Sequence, residues 1–387
     1  MKRRTFLLGL AAAPLGLTAV TRVQAESSAG SRLLVLVALK GGNDGLNTLI
    51  PFADPAYYDL RPKLAVARDQ VIKLTEGEGL HPSLEPLLDI WDERELAILR
   101  GVGYPAPNLS HFRSMDIWET ASRSDETLTT GWLARALAPE PGPARGIIDG
   151  AVVGTEATQC LQGADARVVT ISDLRQFQRQ AKRMGASPSA APDQASLRHM
   201  VHLEDDIRAT AEQLKGGRQF QTTFPDGAFG RSIHTASELI ANRASLGLAV
   251  VHLTLTGFDT HIGQAPKHAR LLQTLGAGLA SLRAALKELN AWDDTLVLTY
   301  SEFGRRAREN ANAGTDHGTA NPHFVLGGRV KGGLYGHPVD LADLDGNGNL
   351  KATLDFRSLY ASALEGWWGM DSQAVLGGRF DTLALIA

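Results

Sequence analysis

The chain has 387 residues, 43% of them hydrophobic and 21% charged, with 39 basic against 42 acidic side chains and a formal charge of -3. That apolar fraction supports a sizeable core and excludes a disordered chain, and 40 glycines and 17 prolines are too few for a collagen-like or low-complexity one. The even charge balance leaves no electrostatic footprint for nucleic acid. The single cysteine, Cys160, excludes an internal disulfide and a cysteine-built zinc cluster, and takes thiolates out of the expected metal ligands.

The chain opens with Lys2-Arg3-Arg4, followed by an apolar run from Phe6 to Val20 and the small-residue pattern Val23-Gln24-Ala25. Residues 1–25 therefore read as a signal peptide, the apolar run being short for a membrane span. Arg3-Arg4 before Phe-Leu resembles a twin-arginine signal, which addresses proteins that fold before export; an ordinary secretory signal carrying two arginines is the alternative. Removing Lys2, Arg3, Arg4 and Arg22 lowers the basic count from 39 to 35 against 42 acidic residues, so the remaining 362 residues carry -7. The expected product is periplasmic or secreted. Its export partner is the twin-arginine machinery, and it has no membrane span after signal removal.

Leu33–Leu39 is a continuous apolar run, the pattern of a strand buried on both faces. Similar runs follow at Glu95–Val102, Arg167–Ile171, Gly247–Leu255, Thr295–Tyr300 and Phe324–Leu326. Helical patterns lie between them. The clearest spans Lys267–Leu289, where Leu271, Leu272, Leu275, Leu279, Leu282, Leu286 and Leu289 keep a spacing of three or four. Alternating strands and helices predict one α/β domain over 26–387, with a mostly parallel sheet covered on both faces. The Ala/Ser/Pro-rich stretch Met184–Ala195 reads as a linker or surface loop inside a mainly helical insertion around 172–235.

Ligands of open α/β sheets gather outside the carboxyl ends of the strands, so polar clusters just after the apolar runs carry most weight. Four stand there. Lys40-Gly41-Gly42-Asn43-Asp44-Gly45 offers Asp44 as a cation ligand, or a plain strand-to-helix turn. Asn108-Leu109-Ser110-His111-Phe112-Arg113 places Ser110 at a helix start, as an N-cap or as a nucleophile, with Arg113 able to hold an anion. Gly257-Phe258-Asp259-Thr260-His261 offers Asp259 and His261 as a ligand pair. The last runs from Ser301-Glu302-Phe303-Gly304-Arg305 through Asp316-His317-Gly318 to Asn321-Pro322-His323. Five of the eleven histidines, His111, His261, His268, His317 and His323, lie in or beside these segments.

Together LxGGNDGLNTLIP, DPAYYDLRP, LHPSLEPL, GVGYPAPNLSHFRSMDIWET, FDTHIGQ, SEFGRRARENANAGTDHGTANPHFVLGG and LDFRSLY resemble the DUF1501 family, exported bacterial proteins of unassigned function. That family is similar in turn to the alkaline phosphatase and sulfatase superfamily. The resemblance implies an alkaline-phosphatase-like three-layer sandwich and metal-dependent hydrolysis. It implies a metal-ligand Asp after the first strand, matched by Asp44, and a nucleophile at a helix start, matched by Ser110. It further implies an Asp and His after a later strand, matched by Asp259 and His261, and a late His, matched by His317. Where the superfamily has Asp followed by His, this chain has Glu302-Phe303, and phenylalanine cannot ligate. Asp259, His261 and His317 suffice for one divalent ion, and an oxygen-rich site of Asp44, Glu302 and Ser110 would favour Mg, Mn or Ca over Zn. His111 or His323 could replace the missing imidazole.

The leading functional expectation is an exported hydrolase of small-molecule or glycan phosphate or sulfate esters. In it Ser110 attacks with help from one or two divalent metals, and Arg113 or Arg305 binds the remaining charge. The alternative is a binding or assembly protein of the envelope that keeps the fold without catalysis. A metal-free serine esterase is disfavoured, since Ser110 has no G-x-S-x-G elbow.

Overall fold

The computed structural model describes residues 32–138, 146–163, 166–183, 195–214 and 217–387. The expected signal segment 1–25 and nearly all of the linker Met184–Ala195 lie outside the described residues. The strands in chain order are β1 (Leu33–Lys40), β2 (Leu49–Ile50), β3 (Ile72–Lys73), β4 (Gly79–Leu80), β5 (Leu96–Gly103), β6 (Gly150–Val153), β7 (Val168–Ile171), β8 (Val250–Thr256), β9 (Thr295–Tyr300), β10 (Asn321–Leu326), β11 (Gly333–Tyr335) and β12 (Leu354–Asp355). The central sheet runs β11-β5-β10-β9-β1-β8-β6-β7, with β12 also pairing β5; β2, β4 and β3 form a small separate sheet.

β1 pairs in parallel with β8 and β9, β6 with β8 and β7, and β5 with β11 and β12, whereas β10 is antiparallel to both β5 and β9. The protein is thus α/β with a mostly parallel sheet. Two reversals through β10 return β5 to the direction of β1, β8 and β9, so all four carboxyl ends emerge on one edge.

The unbroken apolar run of β1 is explained by two cores. Leu33, Val35, Val37 and Leu39 enter one, with leucines of the helix Gln264–Glu288. Leu34, Leu36 and Ala38 enter the other, with Trp118, Trp132 and Tyr360. Successive strand residues face opposite sides, and here both sides are covered, so polar residues have no place. The helix Gln264–Glu288 begins three residues before the expected start at Lys267, because the loop at Gly263 (φ 55) turns the chain into it. The short strand β6, sequence GAVV, has no apolar run long enough to announce it, and its place between β8 and β7 comes from pairing. Between β7 and β8 the described residues form the helices Leu174–Arg183, Ala195–Gln213, Ala228–Ala241 and Arg243–Leu246.

Among the described residues four buried histidines are packed into this framework as neutral rings. Burial pushes His81 and His268 down to about 4 and His252 and His323 down to about 3. A group whose folded value is depressed below its unfolded value of about 6.5 binds fewer protons when folded, so stability falls as pH drops below 6.5 toward those values. At its acid limit a displacement to about 4 is worth roughly 3 kcal/mol and one to about 3 roughly 5 kcal/mol. We expect the thermal midpoint to fall steeply between pH 6.5 and pH 4, and His323→Phe to flatten the slope. A pH-independent midpoint over that range would count against the neutral buried state.

Candidate metal centre at the carboxyl edge of the sheet

The turn after β1 closes on Gly41 (φ 117) and Gly42 (φ 81), conformations that favour glycine. A Cβ on Gly41 would stand 2.4 Å from the Asp259 nitrogen, and one on Gly42 would stand 2.5 Å from the Phe303 ring. The pair therefore lets the turn press against the loops that follow β8 and β9. Gly41 N–H donates to Glu302 Oε1 at 2.7 Å, and Asn43 N–H donates to Ser301 Oγ at 3.0 Å. Ser301 in turn donates to the Leu39 carbonyl at 2.7 Å.

Four of the segments singled out in the sequence meet on this scaffold. Asp259 lies at the centre: His261 Nε2 is 3.0 Å from its Oδ1, His317 Nε2 is 3.3 Å from the same oxygen, and His111 Nε2 is 3.6 Å from Oδ2. His111 Nδ1 lies 3.0 Å from Glu302 Oε1, and His261 Nε2 lies 3.1 Å from His317 Nε2. Ligand atoms of His111, Asp259 and His317 all fall within 4.8 Å of one another. Glu302 is fully buried, and among the described residues its Oε2 has no hydrogen-bond partner. An orphaned buried carboxylate oxygen is costly unless a cation or proton meets it. The donor set therefore fits a divalent ion.

Neighbouring groups orient the imidazoles. His317 Nδ1–H donates to the Leu109 carbonyl at 2.8 Å, which directs its Nε2 at Asp259. His261 Nδ1 is 3.3 Å from Asp316 Oδ1, and Asn310 Nδ2 donates to Asp316 at 3.1 Å and to the His261 carbonyl at 3.0 Å. Phe303 packs against His317 and His111 with ring centroids 4.5 and 5.0 Å away, so it forms an apolar wall where the resemblance expects a ligand. The hydrogen bond to Glu302 raises the His111 imidazole above its ordinary value. Burial holds His317 below its own. Burial pushes the Asp259 carboxyl up, but Arg305 outweighs it and keeps the group below the usual carboxylate range.

Three expected site residues do other work. Asp44 is not a ligand at this site: its carboxylate is wholly buried and gripped at both oxygens by Arg61, with Nη2 to Oδ1 at 2.8 Å and Nη1 on Oδ2, and Gln264 Nε2 also donates to Oδ2. Burial pushes its carboxyl up, yet the Arg61 charge holds it below the usual range. Arg113 points along its own helix, paired with Asp116 and donating to the carbonyls of Arg123, Ser124 and Glu126, so it has left the anion-binding position proposed for it. Arg305 is buried and spends its nitrogens on the carbonyls of Gly42 (2.7 Å), Thr315 (2.9 Å), Gly41 and Phe258 (3.0 Å) and on Asp259 (2.7 Å). It anchors the loops and Asp259 instead of facing solvent.

Ser110 is exposed, precedes the helix His111–Thr120 and makes no side-chain capping bond, which leaves its hydroxyl uncommitted beside His111. Of the two candidate replacement imidazoles, His111 joins the cluster. His323 is buried under Trp118 with neither ring nitrogen partnered. Asp316 joins the cluster as an orienting group for His261, and its position next to His317 is the only sign of this in the sequence.

A mostly parallel α/β sheet with a histidine and carboxylate cluster at the carboxyl ends of its strands defines the class of this molecule. The chain belongs to the family described as "Protein of unknown function (DUF1501)", whose match covers residues 91–378. No curated protein matches it. Among solved structures it is similar to a protein in the alkaline phosphatase superfamily from Vibrio parahaemolyticus, with 10% identity over 90% of this chain and 69% of that one and a TM-score of 0.42. It is also similar to the phosphonate monoester hydrolase SpPMH from Silicibacter pomeroyi, with 13% identity over 90% and 75% of the chains and a TM-score of 0.37. A third is the PsFucS1 sulfatase from Pseudoalteromonas sp., with 10% identity over 91% and 70% and a TM-score of 0.38. Among the described residues no helix is long and apolar enough to cross a membrane.

Proposed function

We propose that this protein is an exported hydrolase of phosphate or sulfate esters that works with one divalent metal, Ser110 acting as nucleophile. The observation that carries the reading is the convergence of His111, Asp259, His261 and His317 around one point, with an unpartnered oxygen of buried Glu302 beside them. His111, Asp259 and His317 would hold the ion, with His261 and Glu302 next to them. When bound, a divalent ion polarises ester oxygens and lowers the pKa of a nearby hydroxyl. Zn suits the nitrogen-rich donors, while Mg, Mn or Ca would lean on the carboxylates.

The chain's own groups divide the remaining tasks. Ser110, at the amino end of a ten-residue helix, sits where the helix dipole favours an alkoxide and an anionic ester. Asp259 and Arg305 fix the loop after β8, and Phe303 excludes water from one side of the cluster. Phe112 and Ile262, both exposed large apolar side chains, flank His111 and His261 and suit an ester with an apolar part.

Ser110→Ala should lower turnover of nitrophenyl phosphate, bis-nitrophenyl phosphate or nitrophenyl sulfate by at least about a thousandfold, with metal content unchanged. Unchanged hydrolysis would remove Ser110 from the nucleophile role. A second reading, a non-catalytic envelope protein, is favoured by Asp44. Its capture by Arg61 withdraws the ligand that a second ion would need. Absence of turnover in metal-loaded protein on all three ester classes is the outcome expected of it.

A further inference from the structure

A second polar cluster lies inside the core, on the face of the sheet lined by Trp118, Trp132 and Tyr360. Glu119 comes from the last turn of the helix His111–Thr120, Cys160 from the loop after β6, His252 from β8 and Tyr300 from the end of β9. All four are at most 5% exposed and sit against an apolar and aromatic core, where Gln159 N–H also donates to Glu119 Oε2 and the Thr158 hydroxyl bonds Glu119 and Cys160. A carboxylate oxygen of Glu119, the Cys160 sulfur and a ring nitrogen of His252 lie within 4.8 Å of one another. The Tyr300 hydroxyl donates to Glu119 Oε1 at 2.9 Å, and stands 3.0 Å from His252 Nε2 and 3.9 Å from Cys160 Sγ. Among the described residues His252 Nδ1 has no hydrogen-bond partner.

We propose that Glu119, Cys160, His252 and Tyr300 form a closed structural site for one Zn2+, filled as the chain folds and separate from the His111–Asp259–His317 centre. Tetrahedral zinc with bonds of about 2.0–2.3 Å has ligand atoms roughly 3.3–3.8 Å apart, close to the separations around the Tyr300 oxygen. One sulfur, one nitrogen and two oxygens is a donor set for zinc, not for Mg or Ca. Charge closes as well. A thiolate and a carboxylate balance the ion, His252 and Tyr300 stay neutral, and the core carries no net charge. A lone thiol cannot build a cysteine cluster, but it can join a mixed set that only the fold brings together.

Cys160 is the only cysteine, so any thiolate-to-cobalt charge-transfer band can come from nowhere else. The test is to produce the full chain in cobalt-supplemented and zinc-supplemented media and to record the near-ultraviolet spectrum and the metal content. Wild type and His317→Ala should show the band at equal intensity, and Cys160→Ser should lack it and hold one ion per chain fewer than wild type. No band in folded, cobalt-grown wild type would overturn the proposal, as would equal metal content in wild type and Cys160→Ser. If Cys160→Ser does not fold, the wild-type spectrum decides alone. Because His317→Ala disables only the other centre, loss of ester hydrolysis and loss of the buried ion are read independently.

Discussion

Arg61→Ala is expected to cost about 3–5 kcal/mol of folding free energy, the range for breaking a buried ion pair by removing one partner. The guanidinium and the Asp44 carboxylate are both fully inaccessible, and Asp44 would be left as a buried charge with only Gln264 to meet it. Arg61 also donates to the carbonyls of Ala307 and Arg306 at 3.0 Å each and to Asn47 Oδ1 at 3.0 Å, so it ties the turn after β1 to the loop that carries Asp316 and His317. The denaturant midpoint should drop with an unchanged slope. The double variant Arg61→Met/Asp44→Asn should recover much of the loss, because the uncompensated charge is gone. A single-variant loss below about 1 kcal/mol would contradict the burial of the pair.

Asp259→Ala and His317→Ala are each expected to weaken divalent-metal binding by at least about 100-fold, measured by calorimetric titration with Zn2+ or Mn2+. Asp259 is the one residue that touches His111, His261 and His317 together, so its loss scatters the set. Glu302→Gln keeps an acceptor for Gly41 and an amide near His111 while removing the charge, and its effect should be smaller. The pH dependence has a definite sign. An imidazole must be neutral to ligate, and His111 is raised by its bond to Glu302, so affinity rises as pH climbs through that raised value. The same shift makes the His111–Glu302 contact stabilise the metal-free fold at low pH, and that stabilisation is lost as pH rises through the folded value. Metal affinity that does not rise with pH, or is unaffected by Asp259→Ala, would dismiss the centre.

Much of this molecule was legible in the linear chain. An eight-residue strand with no polar face, as at Leu33–Lys40, states that both of its sides are covered, which in turn demands helices on both faces. Leucines spaced by three and four state a helix over 267–289. Polar residues directly after such strands state where a site can be, because strand direction alone puts Asp259 and Glu302 at the same edge. The antiparallel entry of β10 was not legible, since the short apolar run Phe324–Leu326 reads the same in either direction.

What the sequence by itself determined was the α/β class, the edge of the sheet where the polar clusters gather, and the residue types found there. Only the tertiary structure decided which of them are free to act. Asp44, Arg113 and Arg305 have the right chemistry in the right segments, yet each is claimed by a partner tens or hundreds of residues away or by its own helix. His111 and Asp316 enter the site, while His323 turns into the core. The physical reason is that a charged or imidazole side chain is defined by what neutralises it, and neutralising partners are set by packing in three dimensions, not by spacing along the chain.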